Sequence, residues 1–357
     1  MSDFLVKRDD LRRCRTVESA PPEIATGQAL LRVDTFGLTA NNVTYAVFGE
    51  AMSYWDFFPR DEEGWGRVPV WGFAEVERSE ADEVEPGTRL YGYLPPSSHL
   101  VVTPADAGAA GFVDASPHRE PLPSAYHRYL ATEADRFYNA HTEEMQMLLR
   151  PLFFTSFLID DQLADEGLTE RGPIAISSAS SKTAIAAAFL LSQREGVEVI
   201  GLTSPRSADF VEHLGIYART VSYEAIDSLE RRPTTFVDIA GDGEVRRSVH
   251  AHLGDELLHS MAVGMTHWEE LGAGGRDLPG PAPAFFFAPD RVVKRSEDWG
   301  RAVLEERVAV AWHPFCEWIG GWLEPIRGEG FAAVESAWSD VIDGRVEPRT
   351  AHVLTLA

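Results

Sequence analysis

The feature that most constrains the fold is a strict alternation of strand-like and helix-like segments after residue 172. Short apolar runs of strand length are separated by longer runs that end at glycine or carry a helical apolar spacing. In chain order they are PIAISS (173–178), KTAIAAAFLLSQREG (182–196), VEVIGLTS (197–204), SADFVEHLG (207–215), TTFVDIAG (234–241) and EVRRSVHAHLGDELLHSMAVG (244–264), the last holding a helix and a further strand. Strands that alternate with helices form parallel sheets. The pattern therefore predicts an α/β fold with a doubly wound parallel sheet.

The chain before this segment has a different character. QALLRVDTF (28–36) alternates apolar with polar residues, and further short strands bounded by Gly or Pro follow it at 73–77, 89–93 and 99–103. An amphipathic helix is predicted from Pro151 to about Gly167. We expect a β-rich domain with its connecting helix over 1–150, the parallel sheet over 151–290, and a return to the first domain over 291–357. Within those last parts, strands are predicted at 283–289 and 351–357 and helices over 290–342.

Composition narrows the possible functions. The 357 residues fit two domains, and the net charge of −24 would repel a phosphate backbone, so we expect no nucleic-acid partner. Only Cys14 and Cys316 are present, which excludes a cysteine-rich zinc site and a disulfide framework. There is no apolar run long enough for a membrane span and no secretory signal at the start of the chain. These features predict a soluble cytoplasmic protein without a membrane partner.

A serine-rich turn occupies the first junction between strand and helix. It reads Ser177-Ser178-Ala179-Ser180-Ser181-Lys182-Thr183, where a dinucleotide-binding protein has a glycine-rich turn. Small side chains let a pyrophosphate approach the backbone, and the first helical N–H groups are free to bind an anion. Lys182 opposes the helix dipole, which is easiest to explain if an anion lies beside it. The cofactor-binding candidates are Ser178, Ser180, Ser181, Lys182 and Thr183, and the alternative is an ordinary serine-capped turn.

The end of the second strand bears on which dinucleotide would bind. A carboxylate there would bind the ribose hydroxyls of NAD, but this chain has Thr203, Ser204 and Arg206 instead. Hydroxyls and a guanidinium suit a 2′-phosphate, so these residues favour NADP(H). A helix cap followed by a solvated arginine is the alternative. Gly264 and Thr266 follow a later strand of the same sheet and are predicted to approach the nicotinamide, and the neighbouring His267 is a weaker candidate.

The order of these parts resembles the medium-chain dehydrogenase/reductase superfamily in its zinc-free, quinone-oxidoreductase-like form. The resemblance rests on LLRVDTFGLTANNVTYAVFG (30–49), VEPGTRLYGYLPPSSHLVV (84–102) and the helix RPLFFTSFLIDDQLADEG. NNVTYAVFGEAMSYWDFFP, WGRVPVWGF and SSASSKTA suggest the DUF2855 branch as the nearest likeness. It implies a GroES-like β-rich catalytic domain joined to a Rossmann-type domain. The zinc ligands of the metal-dependent members are missing, because the early loop has Asn41 and Asn42 and no cysteine, so no metal is expected.

Catalysis without a metal needs a side chain that donates to a developing oxyanion. Tyr45, Asn42 and Tyr54 lie in or near the loop where zinc-free members place polar groups that contact substrate, and Tyr138 is a weaker candidate. The alternative for each is a packing role. Aromatic residues crowd the same loops and indicate either an apolar substrate cleft or a secondary core: Trp55, Phe57, Phe58, Trp65 and Trp71.

The sequence thus predicts an NADPH-dependent, metal-independent oxidoreductase that reduces a small apolar enone, quinone or ketone. Two alternatives stay open: a redox-neutral lyase or isomerase, and a nucleotide-binding partner protein without catalysis. PAFFFAP (283–289) is expected at the edge of the parallel sheet, where pairing with a second copy would form a homodimer. The helices after Asp290 could instead cover that edge within one chain.

Overall fold

The computed structural model describes residues 1–20, 22–263 and 278–356, which form two compact units. The first unit comprises Met1–Leu148 and Cys316–Ala357, and the second comprises Leu149–Phe315. The predicted domain limits at residues 150 and 290 stay predictions.

The first unit is rich in strands. Its strands are β1 (Ser2–Lys7), β2 (Asp10–Glu18), β3 (Ala29–Leu38), β4 (Trp65–Gly66), β5 (Val70–Ser79), β6 (Arg89–Leu94), β7 (His99–Val102), β8 (Pro104–Gly108), β9 (Gly111–Asp114), β10 (Arg128–Ala131), β17 (Glu324–Glu329) and β18 (Thr350–Thr355). One sheet has the order β2-β1-β4, and the larger has the order β17-β18-β3-β5-β6-β10-β9-β8, with β7 also paired to β3. Helices α1 (Ala40–Val47) and α8 (Gly330–Ile342) belong to this unit.

The core of the first unit explains why its central strands form. Leu31, Val33 and Phe36 of β3 are buried in one cluster with Trp338 of α8. The indole Nε1 of Trp338 donates to the carbonyl oxygen of Leu11 at 2.7 Å, so its polar atom is satisfied inside the core. The apolar residues of β3 therefore gain a helix to pack against, while Arg32 stays partly exposed beside Glu75.

The second unit is built on one sheet of parallel strands. They are β11 (Ile174–Ile176), β12 (Val199–Thr203), β13 (Arg219–Ser222), β14 (Thr234–Asp238), β15 (Leu257–Ala262) and β16 (Ala284–Phe285), in the order β13-β12-β11-β14-β15-β16. The helices are α2 (Glu143–Asp165), α3 (Lys182–Ser192), α4 (Pro205–His213), α5 (Gly243–Leu253), α6 (Ala288–Trp299) and α7 (Arg301–Ile319), of which α2 and α7 extend beyond this unit in sequence. The first strand lies centrally with the chain order reversing beside it, which is the Rossmann arrangement.

Charged side chains hold several helices of the second unit together. Asp161 of α2 accepts from Arg291 at 2.6 Å and from Arg295 at 2.8 Å, and all three residues are buried. Asp160 of the same helix binds Arg194 through both carboxylate oxygens. Buried ion pairs of this geometry fix the positions of helices. Across the residues that the structure covers, no helix is long and apolar enough to cross a membrane.

Two differences from the predicted elements have clear physical causes. The hairpin of β1 and β2 was not predicted, because DLRRCRTVE in β2 is highly charged and has no apolar periodicity. The strand predicted over 283–289 is limited to Ala284–Phe285, which is a correction to the expected length. A helix begins at Ala288 with Pro289 and Asp290 in its first turn, and this strong start signal ends the strand.

Candidate functional site

The serine-rich turn follows β11 directly and has a backbone shape that usually requires glycine. Ser178 adopts a φ of +54°, in the left-handed region. Its N–H donates to the hydroxyl of Tyr223 at 2.9 Å, and the next residue, Ala179, accepts from the hydroxyl of Tyr217 at 2.9 Å. Two tyrosines that follow β12 and β13 in sequence therefore hold the turn in place from the side.

A buried serine and a buried aspartate fix the other side of the turn. The Ser177 hydroxyl donates to Asp238 at 2.9 Å and accepts the N–H groups of Ile239 and Ala240, each at 2.9 Å. Asp238, the last residue of β14, also binds Arg246 at 2.8 Å. The carboxylate charge is thus paired although the side chain is fully buried.

Helix α3 begins at the turn and presents its free N–H groups there. Ser181 is the N-cap, and its hydroxyl accepts from Ala184 at 3.3 Å. Within the residues described, the backbone N–H groups of Ser180 and Thr183 have no hydrogen-bond partner. Lys182 is partly exposed as a residue, yet burial of its ammonium group lowers the pKa to about 8. A charge that burial destabilises in this way gains from a nearby anion.

Thr203, Ser204 and Arg206 lie at the carboxyl end of β12. Thr203 is buried, whereas Ser204 is the N-cap of α4 and makes no capping bond with its side chain. Arg206 is exposed and forms no ion pair with any residue for which the structure gives a position. An unpaired guanidinium and an unused hydroxyl therefore stand at the strand end, where no carboxylate is present.

The residues of this turn and strand end fit the phosphates of a dinucleotide in size and in charge. Most of the side chains are small, the start of α3 has free N–H groups, and Lys182 and Arg206 supply one cation each after β11 and β12. Gly264 and Thr266, which the sequence also predicts as cofactor-binding, lie outside the described residues, as does His267. The structure brings the other predicted residues together at one edge of the sheet.

In the first unit, Asn42 has a structural task that uses both ends of its amide. Its Oδ1 accepts from the N–H of Thr39 at 2.8 Å, which completes a capping box at the start of α1. Its Nδ2 donates to the carbonyl oxygen of Pro69 at 2.8 Å. Asn42 is therefore fully engaged as a cap in this conformation.

Tyr45 and Tyr54 are close neighbours inside an aromatic cluster. Their ring centroids are 4.7 Å apart, and both side chains are buried. The Tyr45 hydroxyl accepts from Nε1 of Trp71 at 3.2 Å, and burial raises the pKa of Tyr45 to about 12. Tyr138, the weaker candidate, lies apart from them and donates to Glu143 at 2.9 Å.

The other aromatic residues of these loops serve mainly as core. Trp55, Phe57 and Phe58 are buried in the main cluster of the first unit. Phe57 also contacts Tyr93 and Tyr126, with centroids 5.3 Å and 5.2 Å away. The packing alternative for these aromatic residues therefore agrees with the structure.

Sequence reasoning missed several residues that shape both sites. Asp238 had a usable signal, because an acidic residue at the end of the apolar run TTFVDIAG is unusual in a buried strand. Tyr217 and Tyr223 had none, since their contacts with the turn depend on the packing of neighbouring strands. Tyr93 and Tyr126 likewise join Tyr45 and Tyr54 only through the fold of the first unit.

No group of three or more His, Cys, Asp or Glu side chains within the described residues is placed to hold a metal ion. Cys14 and Cys316, the only cysteines, are free thiols.

The strand order of the second unit and the strand-rich first unit define the fold of the medium-chain dehydrogenases and reductases. CurA from Vibrio vulnificus has a TM-score of 0.59 at 14% identity, with 100% of this chain and 99% of that chain covered. The yhdH oxidoreductase from Salmonella enterica, solved with NADP, has a TM-score of 0.59 at 16% identity, with both chains fully covered at 100%. CurF ER cyclopropanase from the curacin A biosynthetic pathway has a TM-score of 0.63 at 14% identity, covering 100% of this chain and 99% of that one. The predicted fold class is confirmed.

The chain belongs to the DUF2855 family. The protein-family model described as "Protein of unknown function (DUF2855)" matches residues 36–347, which is most of the chain. The predicted resemblance is thereby confirmed. No curated protein matches the chain by sequence.

Proposed function

We propose that this protein is an NADPH-dependent, metal-independent oxidoreductase that reduces a small apolar enone, quinone or ketone. The observation that carries the proposal is the exposed, unpaired guanidinium of Arg206 at the end of β12, beside a serine-rich turn with free N–H groups. A 2′-phosphate would pair with the guanidinium of Arg206, and a pyrophosphate would accept from the free N–H groups of the turn.

The fold neighbours support the choice of cofactor. CurA from Vibrio vulnificus was solved in complex with NADPH, and the yhdH oxidoreductase was solved with NADP. Both have low identity to this chain, so the argument for NADP(H) rests on the residues of the chain itself. The absence of a carboxylate at Thr203–Ser204 is the most direct of these, because NAD binding usually relies on one there.

Each part of the turn has a task in this proposal. NADPH, when bound, supplies the hydride for the reduction. The N–H groups of Ser180 and Thr183 bind the pyrophosphate, and Lys182 lies beside it to balance the charge. Asp238 and Tyr223 bind no phosphate themselves but hold Ser177 and Ser178 in the shape that leaves room for it.

Tyr45 is the group proposed to donate a hydrogen bond to the substrate oxygen. Its hydroxyl oxygen accepts from Nε1 of Trp71 at 3.2 Å, which leaves its own proton for another acceptor. Burial raises the pKa of Tyr45 to about 12, so the phenol keeps that proton at neutral pH. Tyr54 packs against the ring and fixes its position.

The test is the loss of NADPH absorbance with a panel of enones, quinones and ketones, with the affinity for NADPH measured in parallel. We expect tight binding of NADPH and turnover of at least one substrate class. Failure of NADPH to bind would contradict the proposal at its first step.

The alternative is a nucleotide-binding protein that does not transfer hydride, either as a partner protein or as a redox-neutral lyase or isomerase. Its supporting observation is that both ends of the Asn42 amide make structural hydrogen bonds, to Thr39 and to Pro69, which leaves fewer polar groups for catalysis. The fold also occurs in the CurF ER cyclopropanase of the curacin A biosynthetic pathway. Binding of NADPH without turnover across the panel would favour this alternative.

We further propose that the protein acts as a cytoplasmic homodimer. β16 is the last strand in the described order of the parallel sheet, and the rings of Phe285 and Phe287 beside it are 48% and 45% exposed. These rings stack on each other with centroids 6.0 Å apart, forming an apolar surface at the sheet edge. Pairing with a second copy would cover both the strand and the rings.

A further inference from the structure

The Tyr45 hydroxyl has a proton that no described acceptor takes. Its oxygen accepts from Nε1 of Trp71 at 3.2 Å, and a phenol that accepts one hydrogen bond still has its own proton to donate. No carbonyl, carboxylate or hydroxyl in the part of the chain that the structure describes accepts it.

The Tyr93 hydroxyl is in a similar position and is more deeply buried. Tyr93 lies on β6 with 0% of its surface exposed, and its hydroxyl has no hydrogen-bond partner among the described residues. Its ring meets that of Tyr45 edge to face, with centroids 5.6 Å apart. A buried hydroxyl without a partner destabilises the fold, which suggests that a bound ligand supplies the missing acceptor.

Two further tyrosines pack around Tyr45 and Tyr93. The ring of Tyr126 lies 4.7 Å from that of Tyr93 and 6.1 Å from that of Tyr54. Burial raises the pKa of Tyr93 well above its ordinary value, and the phenols of Tyr45, Tyr126 and Tyr54 raise it further. The phenols of Tyr45 and Tyr93 therefore stay protonated at neutral pH and can act as hydrogen-bond donors.

We propose that Tyr45 and Tyr93 form an oxyanion hole, in which both phenols donate to one oxygen of a bound carbonyl compound. Such an oxygen brings the acceptor that both hydroxyls lack, and it takes up negative charge during reduction. Tyr93 thereby becomes a catalytic residue alongside Tyr45. The reduction step of this inference rests on the proposed function, whereas the binding of an oxygen by the two phenols does not.

With an enone, the step transfers two electrons as one hydride. A hydride adds to the β-carbon, the π electrons move through the C–C bond to the carbonyl oxygen, and NADPH is left as NADP⁺. The resulting enolate oxygen is held by the two phenol O–H groups, which keep their protons. A proton from solvent then adds to the α-carbon and restores the carbonyl. With a quinone, hydride addition to a ring carbon and protonation of the enolate oxygen give a keto tautomer. This tautomer becomes the hydroquinone when the ring carbon loses a proton to solvent and the second oxygen gains one.

The experiment uses a phenolate as a stable mimic of the enolate and needs no cofactor. Binding of 4-nitrophenol to the full chain is followed by absorbance, which also reports whether the bound ligand is ionised. 4-Nitroanisole, which has the same ring but cannot ionise, is the control ligand. We expect the unmodified protein to favour the ionised phenol, and Tyr93→Phe to weaken its binding by at least about tenfold, the effect of one lost charge-assisted hydrogen bond. Binding of 4-nitroanisole should change less than about twofold.

Tyr91→Phe is the matched control variant. Tyr91 lies two residues earlier on the same strand and is also buried, but it stacks on Trp71 and its hydroxyl bonds to the carbonyl oxygen of Gln146. This variant should bind 4-nitrophenolate as the unmodified protein does. Equal losses in both variants would indicate a packing effect and overturn the inference.

The stability of the ligand-free protein gives a second readout. Because the Tyr93 hydroxyl has no described partner, Tyr93→Phe should leave the Tm unchanged or raise it. A lowered Tm with unchanged phenolate binding would mean that the hydroxyl serves the fold, which contradicts the proposal. Absence of measurable phenolate binding by the unmodified protein would contradict it as well.

Failure of the proposed function is distinguishable from failure of this site. If NADPH is not consumed with any carbonyl substrate, yet 4-nitrophenolate binding depends on Tyr45 and Tyr93, the oxyanion hole stands and the reductase assignment falls. If NADPH is consumed at the same rate by the unmodified protein and by Tyr93→Phe, the reductase assignment stands and the oxyanion hole falls.

Discussion

The Ser177 hydroxyl lies 2.9 Å from Oδ1 of Asp238, and this bond joins the turn after β11 to the end of β14. The same carboxylate accepts the N–H of Gly241 at 3.0 Å and is paired with Arg246. Glycine-rich turns obtain their shape from the freedom of the glycine backbone. Here the shape is held instead by buried hydrogen bonds, which explains how a turn without glycine can take the same place in the fold.

The first prediction concerns Arg206. NADPH should bind at least about ten times more tightly than NADH, because one phosphate contact is worth about 1.4 kcal/mol. Arg206→Ala should narrow this preference by weakening NADPH binding and leaving NADH binding unchanged. Fluorescence titration with each cofactor measures the two affinities in the unmodified protein and in the variant. Arg219→Ala is the control. Arg219 is the first residue of β13, so it lies at the amino end of the parallel strands, whereas Arg206 follows the carboxyl end of β12. Equal affinities of the unmodified protein for the two cofactors would contradict the assignment.

The second prediction concerns the protonation of Lys182. Burial lowers its pKa to about 8, and a bound phosphate would raise it again. NADPH binding should therefore be strongest below about pH 8 and weaken by up to about tenfold per pH unit above it. Titrations from about pH 7 to pH 9.5 measure this, with Lys182→Gln expected to bind more weakly at pH 7 and to show a flat profile. A pH-independent affinity in the unmodified protein would refute the role of Lys182.

In the protein without cofactor, deprotonation of Lys182 should have a favourable effect: it should increase the stability of the fold, whereas it weakens NADPH binding. The folded pKa of about 8 lies below the ordinary lysine value of 10.5, so the unfolded chain binds more protons between these values. Without cofactor, stability should rise as the pH increases from about 8 to about 10.5. At pH 7, Lys182→Gln should then be more stable by on the order of 1 kcal/mol, a figure reduced for the partial exposure of the side chain.

The third prediction is that the purified protein holds no stoichiometric zinc. Its two cysteines cannot supply a common ligand set, and the described residues include no cluster that could replace one. Activity should survive treatment with a strong chelator, and elemental analysis should find well below one metal ion per chain. About one tightly held zinc per chain would refute metal independence.

The fourth prediction concerns assembly at the sheet edge. Light scattering at micromolar concentration should give about twice the 39.5 kDa of one chain. Phe285→Glu should lower the mass toward that of one chain, because a charge would have to be buried in the interface. Val310→Glu is the control, since Val310 is an exposed apolar residue on α7. A single-chain mass for the unmodified protein would contradict the homodimer.

The positions of Ser178, Lys182 and Arg206 at strand ends could be predicted from the sequence, whereas the packing of Tyr45 against Tyr93 could not. Ser178, Lys182 and Arg206 lie next to strand ends, and a parallel sheet brings its carboxyl ends to one edge whatever the details of packing. Their placement therefore follows from local pattern and topology. Tyr45 and Tyr93 are 48 residues apart in sequence, on α1 and β6, and no local pattern relates them.

What the sequence by itself determined is the architecture: the alternation of strands and helices, the parallel sheet and the glycine-free turn at the start of α3. These follow from periodicity and turn chemistry, which act over a few residues. Only the tertiary structure decided that Asn42 serves as a cap, that Asp238 holds the turn and that the hydroxyl of Tyr93 is left without a partner. Hydrogen-bond satisfaction and burial depend on which distant segments pack together, and that information appears only when the chain is folded.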